Sequence, residues 1–326
     1  MIEILSSAAL ATVQDQGRLG SLRHGVGTSG AMDRLALAAG NLLLDNDANA
    51  AAIEIPVFPF QVRFTEDCAF ALTGADCDAR LGDRPVPPWW AVQARQGDVL
   101  SLGLPAARNG SRAYLALAGG VDVAEVLGSR STQLRGAFGG HEGRALRRGD
   151  RLDAAAQGIR PHTDVGLVPP TLALPLSVDG CPAVRVLPAA EYLRYRESSR
   201  AAFWAGEWKI TAQSDRYGYR LAGEALVPIA PMEMRSHGIV PGVIQVPPGG
   251  QPIVQMRDAQ PSGGYPKFGT VIEADLWRLG QAPIGSRVRF IETTYEDAVA
   301  AQAEVQAWLA GCERLLSLHR LASPRN

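Results

Sequence analysis

The residues best equipped for chemistry lie in Asp258-Ala-Gln-Pro-Ser-Gly-Gly-Tyr-Pro266. An acid, an amide, a hydroxyl and a phenol surround a Gly-Gly pair between two apolar runs that alternate like strands. The polar groups therefore fall where strands end and where a backbone can approach a ligand closely. Asp258 is the candidate for proton transfer, and Arg216, in Ser214-Asp-Arg-Tyr-Gly218, is the candidate cation for developing negative charge. Gln245, Gln260, Gly264 and Tyr265 are the substrate-binding candidates around them.

Two further polar constellations precede this one. In Thr28-Ser-Gly-Ala-Met-Asp33, Ser29 and Asp33 stand where they can cap a following helix or meet an anionic group at its N-terminus. The glycine-rich span 119–153 carries Ser129, Ser131 and Thr132, with His141 beside Glu142. So much glycine weakens both helix and strand, which makes this span a structured loop. His141 is a general-base candidate there, against the ordinary alternative of a solvated histidine. Arg18, in Gln14-Asp-Gln-Gly-Arg-Leu-Gly20, either holds an anion or braces the fold.

The elements that must position these residues are mostly short strands. Glycine (35 residues) and proline (22) punctuate many short apolar runs, the pattern of a mainly β chain. Strands are expected over 2–13, within 51–64 as an edge strand or a pair of short strands, and over 68–74, 183–187 and 285–292. Helices are expected over 32–44, 191–203 and 295–318, the last packing through Val299, Ala303, Val305, Leu309 and Leu315. The proline-rich composition of 161–180 marks a linker between domains at 1–160 and 181–326. The likeness of 14–20 to 213–221, each an acid, an arginine and a glycine after a strand, points to an old duplication and two similar β modules.

Composition excludes several function classes. With 32 basic and 33 acidic residues, the chain has no electrostatic footprint for nucleic acid or an anionic membrane. Cys68, Cys77, Cys181 and Cys312 have no C-x-x-C spacing, so buried free thiols are expected and no metal site. No apolar run is long enough to span a bilayer and the N-terminus is unlike a signal peptide, so a cytoplasmic protein is expected. A phosphate loop of the G-x-x-x-x-G-K-S/T type is absent.

Six segments in order, QDQGRLG (14–20), GVGTSGAMDRLA (25–36), AGGVDVAEVLGSRST (118–132), GRALRRGD (143–150), SDRYGYRLAG (214–223) and IQVPPGGQPIVQMRDAQPSGGYPKFGTVIEADL (244–276), resemble the allophanate hydrolase subunit 2 family. This biotin-dependent carboxyltransferase family includes the C subunit of the ATP-hydrolysing 5-oxoprolinase and the carboxyltransferase domain of urea amidolyase. The resemblance implies two tandem cyclophilin-like β-barrels with few helices, and a stand-alone polypeptide that works with subunits A and B. ATP would then be bound by the complex rather than by this chain alone. Ala189-Ala190-Glu191 and Pro261-Ser262 depart from the family's Gly-Pro-Glu and paired threonines.

Three functions remain open at this point. The first is ATP-dependent opening of 5-oxo-L-proline to L-glutamate, in complex with subunits A and B. The second is carboxyl transfer to urea or a related amide from carboxybiotin on another chain; neither Lys209 nor Lys267 has the methionine neighbours of a biotinylated lysine, so no covalent biotin is expected here. The third is a regulatory role without chemistry, in which the chain binds a partner resembling the B subunit.

Overall fold

The computed structural model describes residues 1–6, 10–106, 110–155 and 161–322. The chain is mainly β, with a few short helices and one long C-terminal helix, Tyr295–Ala322. It divides into two compact units: 1–19, 29–173 and 307–326 form one, and 20–28 with 174–306 form the other.

In the first unit, antiparallel strands form two six-stranded sheets. One is built on Ile2–Ile4, Phe60–Phe64 and Val99–Leu102, the other on Cys68–Gly74, Trp90–Ala94, Ala113–Leu117 and Ala52–Ile55. The alternation of Phe60–Phe64, buried at every second residue, follows from one face on the core and one outside. Cys68–Gly74 is buried almost throughout because its two faces have different covers. Cys68, Phe70 and Leu72 join the core between the sheets, while Ala69 and Ala71 join a second cluster with helix Arg34–Leu43. Small residues on that face let the helix approach closely. A Cβ on Gly40 would stand 3.1 Å from Thr73 Oγ1.

The second unit closes. Its ring runs Cys181–Pro188, Lys267–Val271, Val243–Gln245, Ile253–Gln255, Gly218–Ala222, Trp208–Ile210 and Arg287–Glu292, and returns to Cys181–Pro188 through a parallel pairing that sets Val184 against Phe290. Closure removes the sheet edge. Helix Glu197–Ala205 contributes Phe203, fully buried, stacked on Phe290 with centroids 4.7 Å apart and packed on Phe268 and Trp208.

Several elements differ from expectation. The expected strand 2–13 is two strands, Ile2–Ile4 and Thr12–Gln14, one in each sheet of the first unit; residues 7–9 lie outside the described residues. The compact units also do not follow the expected linear division. Segment 20–28 belongs with 257–259, where Thr28 Oγ1 donates to the Arg257 carbonyl at 3.3 Å and a Cβ on Gly27 would meet the Ala259 carbonyl oxygen at 2.7 Å. The chain's tail packs on the first unit through Trp308 against Trp89 and an ion pair of Arg320 with Asp45 at 2.8 Å. The C-terminal helix buries Ala301, Val305, Cys312 and Leu316, whereas Val299 and Leu315 are 51% and 61% exposed. Positions 301, 305, 312 and 316 share one helical stripe, and 299 lies roughly 200° round the helix from 301.

Candidate functional site

In the second unit, Arg216 and Asp258 form a two-pronged ion pair. Nε donates to Oδ2 at 2.9 Å and Nη2 to Oδ1 at 3.0 Å. The backbone adds a further tie, since the Asp258 N–H donates to the Arg216 carbonyl at 2.9 Å. Asp258 is 0% exposed and Arg216 8%. Asp215 organises the approach to this pair, its Oδ1 accepting from the Tyr217 N–H at 2.8 Å and the Gly218 N–H at 3.2 Å, the usual aspartate turn. Both oxygens of Asp258 are committed to Arg216, so the pair anchors the start of the 258–266 loop. A free proton acceptor would have to give up that partner.

The loop beyond the anchor is open. Gln260 is exposed and Tyr265 is 47% exposed. Ser262 and Gly263 pair with Gly238 and His237 in a short two-stranded ladder, and His237 Nδ1 lies 2.8 Å from the Arg235 carbonyl. Gln245 is buried beneath the loop, donating to the Tyr265 carbonyl at 3.3 Å and accepting from Gln255 Nε2 at 3.1 Å. A Cβ on Gly263 would stand 2.6 Å from Gln245 Nε2, so the glycine lets the loop lie directly on that amide. Gly264 lies over the Met234 carbonyl and Ser236. Gln245 is thus a support of the loop, while Gln260 and Tyr265 present groups to solvent.

In the first unit the organising residue is Asp15, which nothing in its own stretch of sequence marks as a site residue. Its carboxylate is 1% exposed and accepts from the Ser129 hydroxyl at 2.7 Å, the Ser131 hydroxyl at 2.5 Å, the Arg130 N–H at 2.6 Å and the Gly17 N–H at 2.8 Å. The Asp15 N–H donates in turn to Ser131 Oγ, and the Ser131 N–H to Ser129 Oγ. Both serine protons are therefore committed inside the loop. Thr132 Oγ1 likewise donates to the Val13 carbonyl at 3.0 Å. Arg18 braces the same loop. It donates to the Val126 carbonyl at 2.8 Å and the Ser131 carbonyl at 3.0 Å and lies 4.8 Å from the centroid of the Phe138 ring. A Cβ on Gly140, with φ of 54°, would overlap Thr132 Oγ1. The sequence does carry the two halves of this cluster, an acid after a strand and a distant Ser-x-Ser, but their pairing spans more than a hundred residues.

His141 Nε2 stands 3.7 Å from Asp150 Oδ1. Arg144 grips that carboxylate at 2.7 and 3.0 Å, and its hydrogen bond is the main influence holding the Asp150 carboxyl below its ordinary value.

Asp33 caps helix Arg34–Leu43 as expected, its Oδ1 accepting from the Ala36 N–H at 2.9 Å. Ser29 is different. It is 0% exposed, takes a left-handed φ of 51°, and its hydroxyl has no hydrogen-bond partner. A left-handed non-glycine residue costs about 1–2 kcal/mol, and a buried unsatisfied hydroxyl about 1–3 kcal/mol. Two such costs on one residue make Ser29 a candidate functional position.

Among the described residues no three His, Cys, Asp or Glu side chains gather to hold a metal ion, and no helix is long and apolar enough to cross a membrane. Comparison with known proteins is consistent across the chain. It is 42% identical over 316 residues to the C subunit of 5-oxoprolinase from Escherichia coli K12, with 94% of this chain and 96% of that protein covered. It is 40% identical to the protein of the same name from Haemophilus influenzae, with 97% and 99% covered. The crystal structure of Kluyveromyces lactis urea carboxylase superposes with a TM-score of 0.85 at 28% identity, over 94% of this chain but only 29% of that much longer one. Residues 24–292 match the family model for the carboxyltransferase domain, subdomains A and B, and the chain belongs to that family.

Proposed function

We propose that this chain is the C subunit of an ATP-dependent 5-oxoprolinase, converting 5-oxo-L-proline to L-glutamate with subunits A and B in the cytoplasm. The observation that carries this reading is identity of 40–42% to two proteins named as the C subunit of 5-oxoprolinase, end to end on both sides. Opening the lactam means overcoming amide resonance. ATP supplies the activation by phosphorylating the lactam oxygen, after which water attacks the ring carbon. A polypeptide serving that reaction needs groups that hold the substrate and stabilise developing charge. In this reading the exposed Gln260 and Tyr265 contact substrate. Arg216 and Asp258 hold the 258–266 loop in place. ATP falls to the complex. Of the two lysines, Lys209 lies exposed on a strand and Lys267 Nζ donates to the Gly238 carbonyl. The test is reconstitution with subunits A and B: 5-oxoproline should be consumed only when all three proteins and ATP are present, and a mixture of all of them that leaves it untouched rejects the proposal.

A second reading, carboxyl transfer to urea or a related amide from carboxybiotin on another chain, is favoured by the family model and by the urea carboxylase likeness. It predicts label moving from carboxybiotin to such an acceptor, and no transfer across a panel of amides would remove it.

A further inference from the structure

Of the 32 basic residues only Lys209 and Lys267 are lysines, and Lys267 directly follows the 258–266 loop of the second unit. Strands Val243–Gln245 and Lys267–Val271 slip register beside it: Ile244 faces Gly269, and Gln245 faces Lys267. Phe268 is the extra residue of this bulge. It goes into the barrel with Ile244 and Val254, all three 0% exposed, so alternation turns Gln245, Gln255 and Lys267 to the outer side of the wall. The loop and the His237–Gly238 strand meet that side. Gln245 Nε2 donates to the Tyr265 carbonyl, Gln255 Nε2 to Gln245 Oε1, and Lys267 Nζ to the Gly238 carbonyl at 2.9 Å. An ammonium carries three donors, and one is used here. Among the described residues no carboxylate forms an ion pair with Nζ; Glu191 accepts instead from the Lys267 backbone N–H at 3.1 Å. One carbonyl does not call for a charge, since a neutral donor would satisfy it without fixing a four-carbon stem. A half-buried cation, tethered at its tip and lacking a counter-charge, is a prepared contact for an anion. It stands two residues past the exposed Tyr265. The two candidate substrates differ in this respect: 5-oxo-L-proline carries a carboxylate beside its ring nitrogen, whereas urea is uncharged.

We propose that Lys267 selects for a carboxylate on the substrate: its ammonium, positioned by the Gly238 carbonyl, takes the carboxylate of 5-oxoproline in a charge-assisted hydrogen bond, while Gln260 and Tyr265 meet the rest of the molecule. This rests on the reading of the chain as part of a 5-oxoprolinase.

The test places Lys267→Met and Lys267→Arg in the assembled three-protein complex. It compares KM for 5-oxoproline with the inhibition constant of 5-oxoprolinamide, in which the carboxylate is an uncharged amide. Lys267→Met should raise KM about tenfold, the low end for a charge-assisted bond because the site is partly open to water, and leave the inhibition constant of the amide within about twofold. Lys267→Arg keeps the charge and should hold KM within about threefold of wild type. A KM that does not move in Lys267→Met, or a rise matched by equal weakening of the amide, overturns the inference, because a lysine that only braces the loop would harm both ligands alike. Calorimetric binding of 5-oxoproline to the complex without ATP makes the same comparison where turnover is absent. A wild-type complex that binds 5-oxoproline without consuming it, with the affinity lost in Lys267→Met, rejects the hydrolase reading and keeps Lys267 as the carboxylate contact. Equal binding by wild type and variant, or none by wild type, overturns the contact as well. Should Lys267→Met fail to assemble, Lys267→Gln, which keeps a neutral donor for the Gly238 carbonyl, replaces it with the same outcomes.

Discussion

Replacing Asp258 with alanine separates an anchor from a proton acceptor. The carboxylate is fully buried and Arg216 is nearly so, with two charge-assisted bonds of 2.9 and 3.0 Å between them. Removing one member leaves a guanidinium in the interior without its carboxylate, a loss of about 3–5 kcal/mol. For a unit of this size each kcal/mol moves the melting temperature by about 2–4 °C, so calorimetry should show the second unit melting roughly 10 °C lower. The 258–266 loop should loosen, and amide exchange at Asp258 and Ala259, whose N–H groups donate to the Arg216 and Met256 carbonyls, should accelerate. The double variant Arg216→Met with Asp258→Leu removes both charges and should recover most of the lost stability, because apolar residues of similar volume replace a buried pair with little cost. A variant Asp258→Ala that melts within a degree of wild type yet abolishes turnover would refute the anchoring argument and restore Asp258 as the proton acceptor.

Other consequences are direct. Gly140→Ala places a Cβ on Thr132 Oγ1 at a positive φ, and should destabilise the first unit by several kcal/mol, read as a fall in urea midpoint at constant slope. Gly27→Ala meets the Ala259 carbonyl oxygen at 2.7 Å, and should cost about 1–3 kcal/mol and speed exchange over 20–28 while leaving the first unit's protection unchanged. Because Arg144 depresses the Asp150 carboxyl, the stability from that pair is present above the unfolded carboxyl value and is lost as pH falls through the lower folded one. Arg144→Met should therefore flatten the acid limb of stability below about pH 4 and leave pH 7 to 8 parallel to wild type. Iodoacetamide at pH 8 should label Cys181 first, since Cys68, Cys77 and Cys312 are buried and burial pushes the Cys77 thiol up to about 12; early labelling of Cys77 contradicts its placement.

Local patterns are legible in the sequence where one neighbour decides the outcome. The strand at 68–74 and the helix before residue 44 can be read because apolar spacing and a capping aspartate are written within a few residues of each other. The 119–153 span reads as irregular for the same reason, glycine acting on its own backbone. What cannot be read depends on partners far along the chain. The packing face of the C-terminal helix differs from the expected one because that helix offers apolar residues on more than one side, and only its contacts with Trp89 and the cluster around helix Arg34–Leu43 choose among them. Asp15 is one polar residue among several until Ser129, Arg130 and Ser131 arrive from more than a hundred positions away. Segment 20–28 carries no sign in its own residues that it is counted with 257–259.

The two arginines that point to a duplication show how far such likeness can carry chemistry. Arg18 and Arg216 each follow a strand and an aspartate, and each is buried. Arg216 spends its planar fork on a carboxylate, the geometry for which that fork is best suited. Arg18 donates to two carbonyls and lies against an aromatic face, and so braces a glycine-rich loop. The neighbouring acids divide the same way. Asp15 gathers hydroxyls and amides from a distant loop, whereas Asp215 turns back on its own next residues. The two stretches share a sequence pattern, yet in each the acid and the arginine make different bonds. Exchanging Arg18 for lysine should therefore cost the first unit its two-carbonyl brace, while the same exchange at Arg216 keeps a charge opposite Asp258 and loses only the second prong, so function has to be assigned in each unit from its own bonds.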